Sequence, residues 1–74
     1  MDAVTRVRMR AGNKVVAIED IYGFMRQTIP EGTKGVVVRC LNPGRLEVRF
    51  TLHGLLGDRR ALTVRVAPSE LAKL

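Results

Sequence analysis

The chain has 74 residues, carries 13 Lys and Arg against 7 Asp and Glu for a formal net charge of +6, and has only 4% aromatic residues. A chain this short forms one domain with a small core, which excludes a deep enclosed active site, and its charge favours anionic partners such as nucleic acid, acidic protein surfaces or anionic lipid. A single cysteine, Cys40, and a single histidine, His53, exclude an internal disulfide and a Cys/His metal site, so no metal or cofactor is expected.

Residues 1–11 are a basic segment in which Val7 and Met9 alternate with Arg6, Arg8 and Arg10. They fit either a strand with one buried face or a disordered arm. Gly12-Asn13 is a turn signal, and Lys14 to Ile18 is a second apolar run, so the first eighteen residues have the pattern of a hairpin. From Glu19 to Thr28 the pattern breaks into a long loop that carries Tyr22 and Phe24, with Gly23 between them.

Ile29-Pro30-Glu31-Gly32 reads as a turn, with proline presetting one backbone angle and glycine permitting the other. Gly35 to Cys40 is then a strand, and Leu41 to Arg45 closes a hairpin through Pro43-Gly44. Matching apolar faces pairs Cys40 with Leu46, Val38 with Val48 and Val36 with Phe50, all inward, and sets Arg39 opposite Glu47 outside. Cys40 is thereby expected to be a small buried residue.

Closing the loop from His53 to Arg60 so that Leu52 meets Leu62 pairs Phe50 with Val64 and Val48 with Val66 inside. The same register sets Thr51 opposite Thr63 and Arg49 opposite Arg65 outside. Pro68 then ends the strand, Ser69-Glu70 favours a helical turn, and Leu71 or Leu74 plugs one end of the fold or adds a last strand.

This order of signals resembles the SH3-like small barrels over residues 12–74. The residues that carry the likeness are Gly32-Thr33-Lys34-Gly35-Val36-Val37-Val38, Val48-Arg49-Phe50, Val64-Arg65-Val66 and Pro68-Ser69-Glu70-Leu71. Within that group the chain is similar to short bacterial barrel proteins, and in layout to KOW-type barrels and to the small barrel protein of photosystem I. The resemblance implies an all-β, five-stranded SH3-like barrel with a short helical turn before the C-terminus. KOW-type barrels would imply ribosomal RNA or the transcription machinery as partner, and the photosystem barrel an acidic redox protein. The glycine turn of the KOW motif would have to be Gly32 to Gly35, and the strand before it is replaced here by the long acidic and aromatic segment. No functional residue carries over, because this fold hosts many functions.

Catalysis needs convergent groups of tuned acidity. Cys40, His53 and the adjacent Glu19-Asp20 do not form such a set, and the glycines around Lys34 lack phosphate-loop spacing, so the chain is read as a non-enzyme. Binding chemistry is richer. Arg39, Arg49, Arg65 and Lys34 on the strands, with Arg59 and Arg60 in a loop, offer guanidinium forks and an ammonium to phosphates or carboxylates. The scarcity of aromatics argues against efficient single-strand binding by base stacking and favours phosphate-backbone or structured-RNA contact.

Two readings of function follow. In the first, the barrel is a non-catalytic module that docks on an anionic partner, nucleic acid or ribonucleoprotein, or an acidic protein surface, through these cations. In the second it is an accessory component of a larger protein assembly, or a homo-oligomer, in which Tyr22, Phe24, Met25, Leu55 and Leu56 form the contact. No signal-peptide run or membrane-spanning stretch is read from the sequence, so the expected location is the cytoplasm, or a virion interior if the gene is viral, without a membrane partner.

Overall fold

Alternation of Leu46, Val48, Phe50 and Leu52 with Arg45, Glu47, Arg49 and Thr51 builds the longest strand of the chain, Arg45–His53, and the rest of the fold is arranged around it. The computed structural model describes residues 9–22, 28–41, 44–54 and 56–74, and these residues are all-β apart from one short 3-10 helix. In chain order the strands are β1 (Lys14–Ala17), β2 (Ile21–Tyr22), β3 (Thr28–Ile29), β4 (Lys34–Leu41), β5 (Arg45–His53), β6 (Arg59–Val66) and β7 (Leu71–Lys73), with the 3-10 helix Pro68–Glu70 between β6 and β7. A five-stranded antiparallel sheet has the order β6-β5-β4-β1-β7, and β2 and β3 form a separate two-stranded ribbon.

The core consists of Val15, Ala17, Ile21, Ile29, Val37, Leu46, Val48, Phe50, Val66 and Leu71, with Met9, Leu52, Leu62 and Val64 packed at its margin. Leu71 reaches it because β7 pairs with β1, Ala17 lying opposite Leu71. Among the described residues no polar or charged side chain is buried, so the packing between the sheets is apolar throughout.

The β4–β5 pair begins as the sequence indicates, with Cys40 opposite Leu46 and Arg39 opposite Glu47. Between Val37 and Arg39 the register shifts by one residue, a β-bulge at Val38, after which Val37 faces Val48 and Gly35 faces Phe50. One extra residue inverts the faces of everything before it. Val37 is therefore buried at 1% exposure, while Val36 and Val38, expected inside, stand 42% and 37% exposed. Gly35 fits under Phe50 because it has no side chain: a Cβ there would come within 2.8 Å of the Arg49 carbonyl oxygen and 2.9 Å of the Phe50 ring.

Cys40 is also corrected. Past the bulge and one residue from the end of β4, it is exposed, and its thiol donates to the Met9 carbonyl at 3.3 Å. The expected N-terminal strand falls largely on residues 1–8, outside the described ones. Met9 to Gly12 is not strand, and its chain turns at Gly12-Asn13, where Asn13 N–H donates to Arg10 O at 3.0 Å and the Asn13 side chain accepts from Arg10 N–H at 2.7 Å. The partners of β1 are β4 and β7, not a preceding strand.

The segment read as one long loop contains the β2–β3 ribbon, in which Ile21 pairs with Ile29 and both enter the core. Its base is tied by the Asp20 carboxylate, which accepts from Glu31 N–H at 2.8 Å. The following turn runs from Pro30 to Thr33, one residue later than expected: Thr33 N–H donates to Pro30 O at 3.1 Å, and Gly32 adopts φ +89°, a conformation open to glycine at little cost. At the other end Glu70 closes the 3-10 helix by accepting from Ala67 N–H at 2.9 Å.

Candidate nucleic-acid interface

Because side chains alternate across a strand, the register decides which charges share a face. On the outer side of the five-stranded sheet, Lys14, Val36, Arg49 and Thr63 form one row across β1, β4, β5 and β6. Arg39, Glu47 and Arg65 form the next row, and Leu41 with Arg45 the one beyond. In the opposite direction Thr51 lies opposite Ala61, and His53 opposite Arg59. Lys34, at the start of β4 and two residues from Val36, falls on the same side.

This face is strongly one-signed. Glu47 is the only carboxylate on the five-stranded sheet, and it is already engaged: Arg39 Nε donates to its Oε1 at 2.7 Å. Among the described residues this is the one ion pair, so Lys34, Arg45, Arg49, Arg59 and Arg65 have no carboxylate partner there. From Arg45 to His53 are eight residue steps of extended chain, about 26 Å, so the cations form a track rather than a point site.

The expected Arg49–Arg65 pair is not formed. The β5–β6 register lies two residues from the expected one, placing Arg49 opposite Thr63, Arg65 opposite Glu47, Phe50 opposite Leu62 and Val48 opposite Val64. A shift of two preserves the faces, so both arginines still point outward, but each is now beside a neutral or acidic neighbour. Thr51 likewise meets Ala61 rather than Thr63. Leu52 meets Arg60, because the strands pair as far as His53 and Arg59 and leave a loop closed by Gly54 N–H to Asp58 O at 2.7 Å. Arg59 and Arg60 are thus strand residues pointing to opposite sides, and only Arg59 joins the outer track.

Where the Pro30–Thr33 turn stands beside the ends of β5 and β6, an open cleft of 710 Å³ is lined by Pro30, Glu31, Gly32, Thr33, Lys34, Thr51, Leu52, His53 and Arg59. The structure brings Lys34 and Arg59 together here, at one end of the arginine track. Arg45 and His53 were not singled out as part of the site in the sequence, yet counting by two along β5 from Arg49 reaches both.

Of the apolar candidates, Tyr22 is 80% and Leu56 96% exposed. Phe24, Met25 and Leu55 lie outside the described residues. Among the described residues no group of His, Cys, Asp and Glu is placed to hold a metal ion, and no helix is long and apolar enough to cross a membrane. Comparison with protein-family models, with curated proteins and with solved structures gives no match to this chain.

Proposed function

We propose that the chain is an SH3-like barrel and a non-catalytic module that binds nucleic acid through the outer face of β4, β5 and β6. Support for the fold comes from the strand order β6-β5-β4-β1-β7 and from the 3-10 helix that precedes the last strand. Support for the function rests on one observation above others: Arg45, Arg49, Arg65, Lys34 and Arg59 share a face whose single carboxylate is held by Arg39.

Such a face matches a polyanion better than an acidic protein. Protein interfaces concentrate their energy in buried anchors rich in Trp and Tyr, and among the described residues no Trp, Tyr or Phe lies on this side of the sheet. Regularly spaced guanidinium groups over about 26 Å suit a run of phosphates instead, where each contact positions the partner without reading bases. The expected binding is salt-sensitive and of modest affinity, with a Kd on the order of 10⁻⁴–10⁻⁶ M for sequence-independent contact at physiological salt. Fluorescence anisotropy with a labelled duplex at several salt concentrations tests this reading, and absence of binding at low salt removes it.

A second reading, docking on a protein assembly or self-association, is favoured by the exposure of Leu56 and Tyr22 at 96% and 80%. Sedimentation of the purified protein distinguishes it. A mass above one chain that returns to the monomer in the double variant Tyr22→Ser, Leu56→Ser supports self-association, and a monomer at all concentrations counts against it.

A further inference from the structure

The cleft at the end of the arginine track has a composition different from the track itself. Lys34 and Arg59 supply positive charge, Leu52 and Pro30 apolar surface, His53 an imidazole ring, and Glu31 the one carboxylate. Its walls are fixed by main-chain bonds: Gly32 N–H donates to Ala17 O at 2.7 Å and Thr33 N–H to Pro30 O, while His53 and Arg59 lie opposite each other in the β5–β6 ladder. A volume of 710 Å³ falls inside the range of about 300–1,000 Å³ typical of small-ligand sites.

Each of those groups meets a different part of a nucleotide. Cations bind the phosphate, the imidazole and apolar surfaces take the face of a base, and a carboxylate accepts a hydrogen bond from an exocyclic amine. Arg49 lies four residues from His53 on the same side of β5, about 13 Å away along the strand, so a chain lying on the track runs on toward the cleft. The openness of the cleft fits a residue that remains attached to a polymer.

Resting on the nucleic-acid reading above, we propose that this cleft holds one unpaired nucleotide of a structured RNA, with preference for a base bearing an exocyclic amine. Lys34 and Arg59 hold its phosphate, His53 stacks on the base, and Glu31 accepts from the amine of cytosine, adenine or guanine. Uracil presents a carbonyl oxygen there and is disfavoured.

The test compares RNA duplexes identical except for a single bulged cytosine, a single bulged uracil, or no bulge, by fluorescence anisotropy at one salt concentration. The cytosine bulge is expected to bind about tenfold more tightly than the uninterrupted duplex, an effect of the size that stacking one base contributes. His53→Ala should bring the two within about twofold, while Glu31→Gln should erase the difference between cytosine and uracil bulges. Equal binding of bulged and uninterrupted duplexes by the native chain, or a bulge preference untouched by His53→Ala, overturns the cleft assignment and leaves the track standing. Binding to none of the RNAs overturns both.

Discussion

Arg39 donates its Nε proton to Glu47 at 2.7 Å across the β4–β5 pair, and the same carboxylate lies opposite Arg65 on β6. With the Arg39 side chain 66% and that of Glu47 18% exposed, the pair sits between a surface contact and a buried one. Exposed pairs of this kind contribute about 0.2–1 kcal/mol. Replacing Glu47 by Gln should therefore cost less than about 1 kcal/mol in urea unfolding, an effect that fades with added salt. Affinity for nucleic acid should move the other way and increase, because the five-stranded sheet loses its only carboxylate. A Glu47→Gln variant that binds more weakly contradicts this.

Gly35 lies under the side chains of Val48 and Phe50, both fully buried. A methyl group at this position has no room, since one of its neighbours is the Arg49 backbone carbonyl and cannot swing away. Gly35→Ala should destabilise the chain by about 1–3 kcal/mol, the range for overpacking a close-packed interior. Chemical denaturation measures it, and an unchanged midpoint would mean that the strand is not where it is placed.

Gly32 uses φ +89° in the turn that forms one wall of the cleft. An Ala Cβ meets nothing within 4 Å there, so only backbone strain opposes the substitution. Gly32→Ala should cost about 1–2 kcal/mol, which lowers Tm by about 4–16 °C in a domain of this size. A Tm equal to that of the native chain would contradict the turn geometry.

Cys40 reports on the exposed end of β4. A thiol turned into the interior beside its partner Leu46 would resist modification. As placed, exposed and bonded only through the thiol to Met9 O, it should react with Ellman's reagent in native buffer at a rate close to that in denaturant. Protection that vanishes only on unfolding would contradict the exposed position of Cys40 at the end of β4.

The limits of legibility lie in these same residues. The Cys40–Leu46 and Arg39–Glu47 pairs could be found because the short Leu41 to Arg45 connection restricts the register next to it. Val36, Val37 and Val38 could not be assigned to faces, since three equal residues in succession carry no alternation, and the bulge chose Val37 for the core. For β5 and β6 the apolar pattern set the faces but not the partners. A slip of two residues leaves Leu62, Val64 and Val66 inward either way, and the loop hydrogen bonds of Gly54 decide between the alternatives. The outer cations were therefore visible one by one, whereas their grouping around Glu47, and the separation of Arg59 from Arg60, depended on the register.

The most direct measurement of the central claim is the salt dependence of duplex DNA binding by the native chain, by the triple variant Arg45→Gln, Arg49→Gln, Arg65→Gln, and by Arg60→Gln on the other face. Each phosphate contact contributes about 0.9 to the slope of log affinity against log salt. The account predicts a steep negative slope for the native chain, a reduction of about 2.7 in the triple variant, and no change for Arg60→Gln. A flat slope for the native chain, or a triple variant with the native slope, would contradict it.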